Sequence, residues 1–243
     1  MEEKRYPAEK SAEIQKLLDT ATLFVGLSPE NLAQVTSHAV TRTHPANRAI
    51  LLENDWGGSV YFILDGWVKI RTYDIEGREV TLNIVGKGEI VGEMAALEES
   101  TRSTDAITLT TATISSIPAQ DFINLLISEP LAGIRLSQLL AKRLRQLNRR
   151  LRLREADSLS RVVDTLLFLA EGQGRKSGQG TIIPNLPHRE LSSISGLARE
   201  TVTRSLTKLQ KKGLIQQTSC KSLIQLLDYS LKQVRSCKCQ RLN

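Results

Sequence analysis

The chain has 243 residues, of which 40% are hydrophobic, and it carries a formal net charge of +7. This length is enough for one large domain or two small ones, and this apolar content excludes a disordered chain. No apolar run approaches the roughly 18 residues that a membrane span needs, and the first residues lack the apolar core of a secretory signal. We therefore expect a cytoplasmic protein without a membrane partner.

The charge is unevenly distributed along the chain. Residues 1–120 carry 11 Lys and Arg against 17 Asp and Glu, whereas residues 121–243 carry 22 against 9. A basic half beside an acidic half indicates that only one half meets a polyanion. A solvated surface that is merely asymmetric would give the same counts.

The cysteines and histidines predict neither disulfides nor a metal site. The three cysteines all lie near the C-terminus: Cys220, Cys237 and Cys239. An odd number in a chain of this length does not indicate a disulfide framework, and two nearby thiolates without a histidine fall short of a four-ligand site. We also find no Ser/His/Asp set and no phosphate-binding loop motif, so we do not expect an enzyme.

The first predicted element is a short helix over residues 21–37, in which Ser28-Pro29-Glu30 supplies a cap, a proline and an early acid. Strands are predicted from about 49 to 116, because short apolar or alternating runs there are separated by turn signals such as Asp65-Gly66. Many short strands at this spacing predict a barrel or jelly roll.

A candidate anion site follows these strands, in the segment GEIVGEMAALEESTRSTDA at 88–106. Gly92 allows close backbone approach, and the residues after it predict one helical turn whose N–H groups would face an anion. Arg102 can grip a phosphate in a fork and Ser103 can add one bond, while Glu93 would accept bonds from ribose hydroxyls. A sugar phosphate therefore suits the segment, although a surface ion pair between Glu93 and Arg102 is an alternative.

The next helix carries leucines spaced four, three and four apart: Leu140, Leu144, Leu147 and Leu151. Such a narrow apolar seam is suited to a partner helix and predicts self-pairing. The alternative is a helix packed on its own chain with a solvated basic face.

The C-terminal part reads as a helix-turn-helix, with a helix after Pro187, a turn at Gly196 and a second amphipathic helix. After this second helix, a strand at 223–227 is predicted to complete a hairpin with Leu214-Ile215. In this motif the second helix enters the major groove of DNA. His188 opens the first helix, where a contact with a DNA phosphate can form.

The second helix contains LARETVTRS at 197–205 and splits into a polar face, which includes Thr203, and an apolar stripe. Arg199 and Arg204 can each make a two-pronged hydrogen bond to guanine, and Glu200 can accept one from the amino group of cytosine. The alternative is that these three side chains form ion pairs on an ordinary solvated face.

Several of these stretches resemble the CRP/FNR family of transcription regulators. VYFILDGWVKI, GREVTLNIVGKGEIVGEMAAL and RST resemble its cyclic-nucleotide-binding barrel, and ELSSISGLARETVTRSLTKLQKKGLI resembles its winged-helix DNA reader. The resemblance covers about 21–235. It implies an α+β fold with a cyclic-nucleotide-binding β jelly-roll barrel, a long dimerisation helix and a C-terminal winged helix-turn-helix domain.

The resemblance also implies a division of the chain. We expect an N-terminal extension, an effector domain, a dimerisation helix, a DNA-binding domain and a C-terminal tail, at 1–20, 21–125, 126–156, 157–235 and 236–243. The effector-binding positions implied in this way are Gly92, Glu93, Met94, Arg102, Ser103, Arg143, Leu147 and Asn148. The base-reading positions of the family match Arg199, Glu200 and Arg204 unchanged.

The resemblance implies a homodimeric regulator that binds a palindrome similar to TGTGA…TCACA in double-stranded DNA, acts with RNA polymerase and responds to cAMP. One departure concerns the adenine. The cyclic-AMP-binding branch of the family contacts it with two neighbouring hydroxyl side chains of the dimerisation helix, where this chain has Leu147 and Asn148. A response to cGMP, to another nucleotide or to no effector therefore stays open. A nucleotide-sensing regulatory subunit without DNA binding is a more distant alternative.

Overall fold

The computed structural model describes residues 15, 17, 19–178, 180–217 and 223–227. Two compact units divide the chain: Met1–Thr72 with Asn83–Lys142, and Tyr73–Leu82 with Arg143–Asn243. The three cysteines and the predicted C-terminal tail lie outside the described residues.

The helices follow a 3₁₀ turn at Thr22–Phe24 and are α1 (Pro29–Ser37), α2 (Glu93–Glu98), α3 (Ala119–Ser128), α4 (Pro130–Arg152), α5 (Ser158–Gln173), α6 (His188–Ser195) and α7 (Arg199–Lys211). The strands are β1 (Val40–His44), β2 (Ala49–Leu51), β3 (Ser59–Asp65), β4 (Val68–Tyr73), β5 (Glu79–Val85), β6 (Ile90–Val91), β7 (Asp105–Thr108), β8 (Ala112–Pro118), β9 (Arg175–Ser177), β10 (Gly180–Pro184), β11 (Ile215–Gln217) and β12 (Leu223–Leu227). This mixture confirms the predicted α+β class.

Two four-stranded sheets account for the strands up to residue 118, in the orders β1-β8-β3-β6 and β2-β7-β4-β5. Strand β3 pairs antiparallel with β8, and β4 pairs antiparallel with β7. Apolar side chains from both sheets share one buried cluster, which includes Ile63 and Ile114 from the first sheet and Val68 and Ala106 from the second. The sheets therefore enclose an apolar core, as a jelly roll requires.

The helices of the first unit pack on the other face of the β1-β8-β3-β6 sheet. Phe62 of β3 lies between Phe24 and Phe122, with ring centroids 4.9 Å and 6.3 Å apart. Ala132 and Leu136 of α4 are buried in the same cluster. This second core holds α3 and the first half of α4 against the sheet.

The α-helix predicted over 21–37 is shorter than expected and spans only Pro29–Ser37. Gly26 adopts a left-handed φ of +68°, and the α-helix begins at Pro29, with the Ser28 hydroxyl accepting a bond from the Asn31 N–H. The cap and proline signals were therefore correct, and the residues before them form only the 3₁₀ turn because the left-handed residue interrupts the helix.

The second unit contains the helix-turn-helix and a four-stranded sheet in the order β11-β12-β10-β9. Asp157 caps α5 by accepting bonds from the N–H groups of Leu159 and Ser160. Gly196 ends α6 with a left-handed φ of +63°. The predicted hairpin between 214–215 and 223–227 is confirmed, since β11 pairs antiparallel with β12.

Two successive arginines anchor the end of α4 inside the second unit. Arg149 lies 3.0 Å from the carboxylate of Asp164 and 2.6 Å from that of Glu171, both on α5. Arg150 donates to the carbonyl oxygens of Thr81 and Ile194 and lies over the ring of Phe168. These bonds join four segments that are far apart in sequence.

Strand β5 also contacts α6 directly within this unit. The Ser193 hydroxyl lies 2.7 Å from that of Thr81 and accepts a bond from the Thr81 N–H at 3.0 Å. Ser193 also contacts the carbonyl of Glu79. The first part of β5 is therefore hydrogen-bonded to the first helix of the helix-turn-helix.

Among the described residues, none of the helices combines the length and the apolar composition that crossing a membrane requires.

Candidate effector and DNA-reading sites

The candidate effector site is built around the turn between β6 and α2. Gly92 has a left-handed φ of +82°, and a Cβ atom there would lie 2.6 Å from Nη1 of Arg102. The absence of a side chain therefore lets the guanidinium approach the backbone at this turn. The helical turn predicted after Gly92 is present as α2, which ends in a second left-handed residue, Glu99.

Arg102 is held by backbone acceptors on two sides. Its Nη1 donates to the carbonyl of Gly92 at 2.8 Å, and its Nη2 donates to the carbonyl of Ser59 at 2.6 Å. Its own backbone is hydrogen-bonded to the loop between β2 and β3: the Arg102 N–H donates to the carbonyl of Asp55, and the Arg102 carbonyl accepts from the N–H of Asn54. These bonds fix the position and the orientation of the guanidinium.

The charges at this site are buried, which excludes the alternative of a surface ion pair. Glu93 is 3% exposed and Arg102 is 5% exposed. Burial lowers the pKa of the Arg102 guanidinium, and the nearby Tyr61, Glu93 and Asp55 oppose that shift. Burying an ion is costly unless other groups compensate it, and the carbonyls of Gly92 and Ser59 supply part of that compensation for Arg102, so these charges do not form a solvated pair.

Ser103 differs from its neighbour because its side chain is exposed. Within the described part of the chain its hydroxyl has no hydrogen-bond partner, so the donor is available to a ligand. Met94 is 49% exposed.

Sequence reasoning missed Tyr61 and the two carbonyl acceptors of Arg102. Tyr61 lies on β3, and the Cζ atom of Arg102 is 5.8 Å from its ring centroid. Ser59 and Arg102 are 43 residues apart, so no local pattern connects them. Strand alternation predicts which face of β3 carries Tyr61, but the pairing of β3 is needed to bring that face to Arg102.

The other three proposed effector residues lie in the second unit, on the last part of α4. Arg143 is half-buried, Leu147 is 42% exposed and Asn148 is exposed. Leu144 and Leu151, on the same helix, are 61% and 56% exposed. An apolar seam that is exposed on a single chain is typical of a helix that pairs with another.

The second helix of the helix-turn-helix, α7, shows the predicted division into two faces. Val202, Leu206 and Leu209 are buried. The proposed base readers are all exposed, namely Arg199, Glu200, Thr203 and Arg204. In the described residues Glu200 has no ion pair with either arginine, and Arg204 contacts the Thr201 hydroxyl at 3.3 Å. The carboxylate and both guanidiniums are therefore available to base edges.

The turn before α7 is held by hydrogen bonds from a side chain of α5. Arg161 donates from Nη2 to the carbonyls of Ser195 at 2.6 Å and Gly196 at 3.0 Å. The Ser192 hydroxyl donates to the carbonyl of Leu197. These contacts satisfy the carbonyl groups at the end of α6 and set the angle at which α7 leaves it.

The described residues contain no group of three or more His, Cys, Asp and Glu side chains placed to hold a metal ion.

Comparison with known proteins identifies two domains in this chain. The family model for a cyclic nucleotide-binding domain matches residues 41–129, and the model for a Crp-like helix-turn-helix domain matches residues 160–231. The Cyclic AMP receptor protein of Thermus thermophilus is 32% identical over 194 residues, which cover 79% of this chain and 87% of that protein. The CRP-like cAMP-activated global transcriptional regulator of Mycobacterium tuberculosis is 28% identical and covers 83% and 91%.

Solved structures show the same architecture. The c-di-GMP responsive global regulator CLP of Xanthomonas campestris is 27% identical with a TM-score of 0.64, over 82% of this chain and 99% of that one. FixK2 of Bradyrhizobium japonicum shares the fold at 20% identity with a TM-score of 0.69, over 80% and 96%. From the two matched domains and the extent of these likenesses, this chain belongs to the CRP/FNR family of DNA-binding transcription regulators and carries that family's cyclic nucleotide-binding domain.

Proposed function

We propose that this protein is a homodimeric regulator whose binding to a palindromic DNA site is controlled by a cyclic nucleotide. The observation that carries the proposal is the buried, oriented guanidinium of Arg102 beside the buried Glu93 and the available hydroxyl of Ser103. Arg102 and Ser103 would hold the cyclic phosphate, and Glu93 would accept a bond from the ribose hydroxyl. The turn at Gly92 and Met94 would line the sugar.

The identity of the base is the open part of this proposal. The relatives in Thermus thermophilus and Mycobacterium tuberculosis are named for cAMP, which favours cAMP as the first choice. The structural neighbour from Xanthomonas campestris is named for c-di-GMP, so a different nucleotide is the second candidate. Asn148 can bond a purine edge, whereas Leu147 offers only apolar contact. Arg143 lies on the same helix, α4, and we propose it as a further residue near the nucleotide.

The DNA-reading half of the proposal rests on α7. Its exposed Arg199, Glu200 and Arg204 fit a half-site similar to TGTGA, because arginine pairs with guanine and glutamate with the cytosine amino group. Two such helices in a dimer would meet successive major grooves about 34 Å apart. Activation of transcription through RNA polymerase, in the cytoplasm where the chromosome lies, completes the proposal.

Isothermal titration of the full chain with cAMP, cGMP and c-di-GMP tests the effector site. We expect saturable binding of cAMP, and S103A should weaken it about tenfold or more, because a hydrogen bond to a charged group is lost. Since the Ser103 hydroxyl has no partner in the described structure, S103A should melt at the wild-type temperature. R102K, which keeps the charge and loses the fork, should also bind weakly. Equal affinity of S103A and the wild type would place the nucleotide elsewhere.

A further inference from the structure

His188 and Thr203 join the two helices of the DNA reader at its exposed surface. His188 is the first residue of α6, and its Nδ1 lies 2.8 Å from the hydroxyl oxygen of Thr203 on α7. The same hydroxyl lies 3.0 Å from the carbonyl oxygen of Arg199, to which it donates. Thr203 is exposed and His188 is partly exposed.

The hydrogen-bond count at this pair restricts the imidazole. A threonine hydroxyl has a single proton, and Thr203 gives it to the carbonyl of Arg199. The bond to His188 must then be donated by Nδ1–H. A neutral imidazole has one N–H group, so Nε2 is left as an acceptor. Only this arrangement makes both bonds of Thr203 at once.

This restriction decides how His188 can meet DNA. In a helix-turn-helix the first helix crosses the phosphate backbone, and helix N-termini are among the groups that contact phosphates. A phosphate oxygen accepts hydrogen bonds and cannot donate to Nε2 of a neutral ring. The imidazolium form has N–H groups at both nitrogens, so it alone can bond a phosphate and Thr203 while the Thr203 hydroxyl keeps its bond to the Arg199 carbonyl.

We propose that binding of duplex DNA takes up a proton at His188, so that the affinity for DNA rises as the pH falls from about 8 to about 6. This inference rests on the proposed DNA-reading function. In this proposal His188 contacts a DNA phosphate only in its protonated form. Thr203 causes this dependence, because its hydroxyl takes up the Nδ1–H group of His188.

The other charges around His188 come from the elements packed against it. The charged residues of these elements include Arg189 and Glu190 on α6, Arg199, Glu200 and Arg204 on α7, Arg161 and Asp164 on α5, and Glu79 on β5. Arg161 is bonded at the far end of α6, and Asp164 faces Arg149. Guanidinium and carboxylate groups ordinarily keep their charge between about pH 6 and 8, whereas histidine changes charge there.

Fluorescence anisotropy of the full chain on a labelled palindromic duplex tests the inference, with cAMP present and the ionic strength held constant across the pH range. We expect the wild type to bind at least about threefold more tightly near pH 6 than near pH 8. H188Q cannot be charged and H188R is always charged, so both should bind with an affinity that does not change with pH. H38Q is the matched control, because His38 is bonded to Asp121 in the first unit, and it should keep the wild-type response.

T203V separates the linkage from the mere presence of a histidine. Without the hydroxyl, a neutral His188 can carry its proton on Nε2 and donate to a phosphate, so the pH response should shrink although His188 remains. Specific DNA binding with the same pH response in the wild type and H188Q, or an unchanged response in T203V, would overturn this inference alone. Absence of sequence-specific binding at every pH would overturn the proposed function as well.

Discussion

At the scale of single residues, the effector site depends on how Gly92 and Arg102 fit together. The guanidinium lies so close to the turn that a Cβ atom at position 92 would lie 2.6 Å from Nη1. The same guanidinium is fixed by the carbonyls of Gly92 and Ser59. Any side chain at position 92 would therefore displace the group that we assign to the phosphate.

G92A should reduce nucleotide affinity by about tenfold or more, because an arginine moved from its position loses charge-assisted bonds to the phosphate. The matched control is G26A, since Gly26 has a similar left-handed φ of +68° and no atom within 4 Å of its virtual Cβ. Backbone strain should cost each variant about 1–2 kcal/mol of stability, and G92A should lose more than G26A because its methyl group also displaces the buried Arg102. Isothermal titration and thermal melting measure the two effects, and equal nucleotide affinity in both variants would contradict the assignment.

Residue patterns were sufficient to select the candidate anion-binding segment, because Gly92, Glu93, Arg102 and Ser103 lie close together in the chain. Tyr61 and the Ser59 carbonyl were not predictable, because strand pairing brings them to Arg102 from 41 and 43 residues away. The same limit applies to the contact between Thr81 and Ser193, which are 112 residues apart.

At the scale of elements, the end of α4 is tied to α5 by Arg149, which has one buried and one solvated partner. Asp164 is 5% exposed, whereas Glu171 is 42% exposed. Removing one member of a buried ion pair leaves an uncompensated charge, whereas a solvated partner is replaced by water. The two carboxylates should therefore contribute very differently to stability.

D164A should lower the free energy of unfolding by about 3–5 kcal/mol, whereas E171A should cost less than about 1 kcal/mol. Urea unfolding followed by circular dichroism gives both values on the same helix and with the same arginine. Equal losses in the two variants would mean that burial does not govern this pair.

At the scale of the whole molecule, the patterns in the sequence predicted the succession of strands, helices and helix-turn-helix. They overextended the first helix, because the left-handed Gly26 separates the 3₁₀ turn from α1. Of the four leucines that predicted a seam, Leu144, Leu147 and Leu151 are exposed on the single chain, whereas Leu140 packs against the apolar core of the first unit. We propose that these exposed leucines pair with the same helix of a second copy of the chain, which the next variant tests.

L144E should convert a dimer into monomers, because a carboxylate buried in an apolar helix pair has no compensating charge. Sedimentation velocity measures the change in mass, and affinity for a two-half-site duplex should fall while the circular dichroism spectrum shows that the chain stays folded. The control is I75E, since Ile75 is fully exposed outside the seam and should tolerate the charge. A wild-type chain that sediments as a monomer at micromolar concentration would show that the seam does not pair.

The central claim is that a nucleotide held at Arg102 controls DNA reading by α7. The most direct measurement is the affinity of the full chain for a TGTGA-type palindrome, by fluorescence anisotropy, with and without saturating cAMP. We predict that cAMP tightens binding about fivefold or more, in line with typical coupling of 1–3 kcal/mol, and that S103A loses this response at the same cAMP concentration. Equal DNA affinity with and without cAMP, cGMP and c-di-GMP would contradict the account.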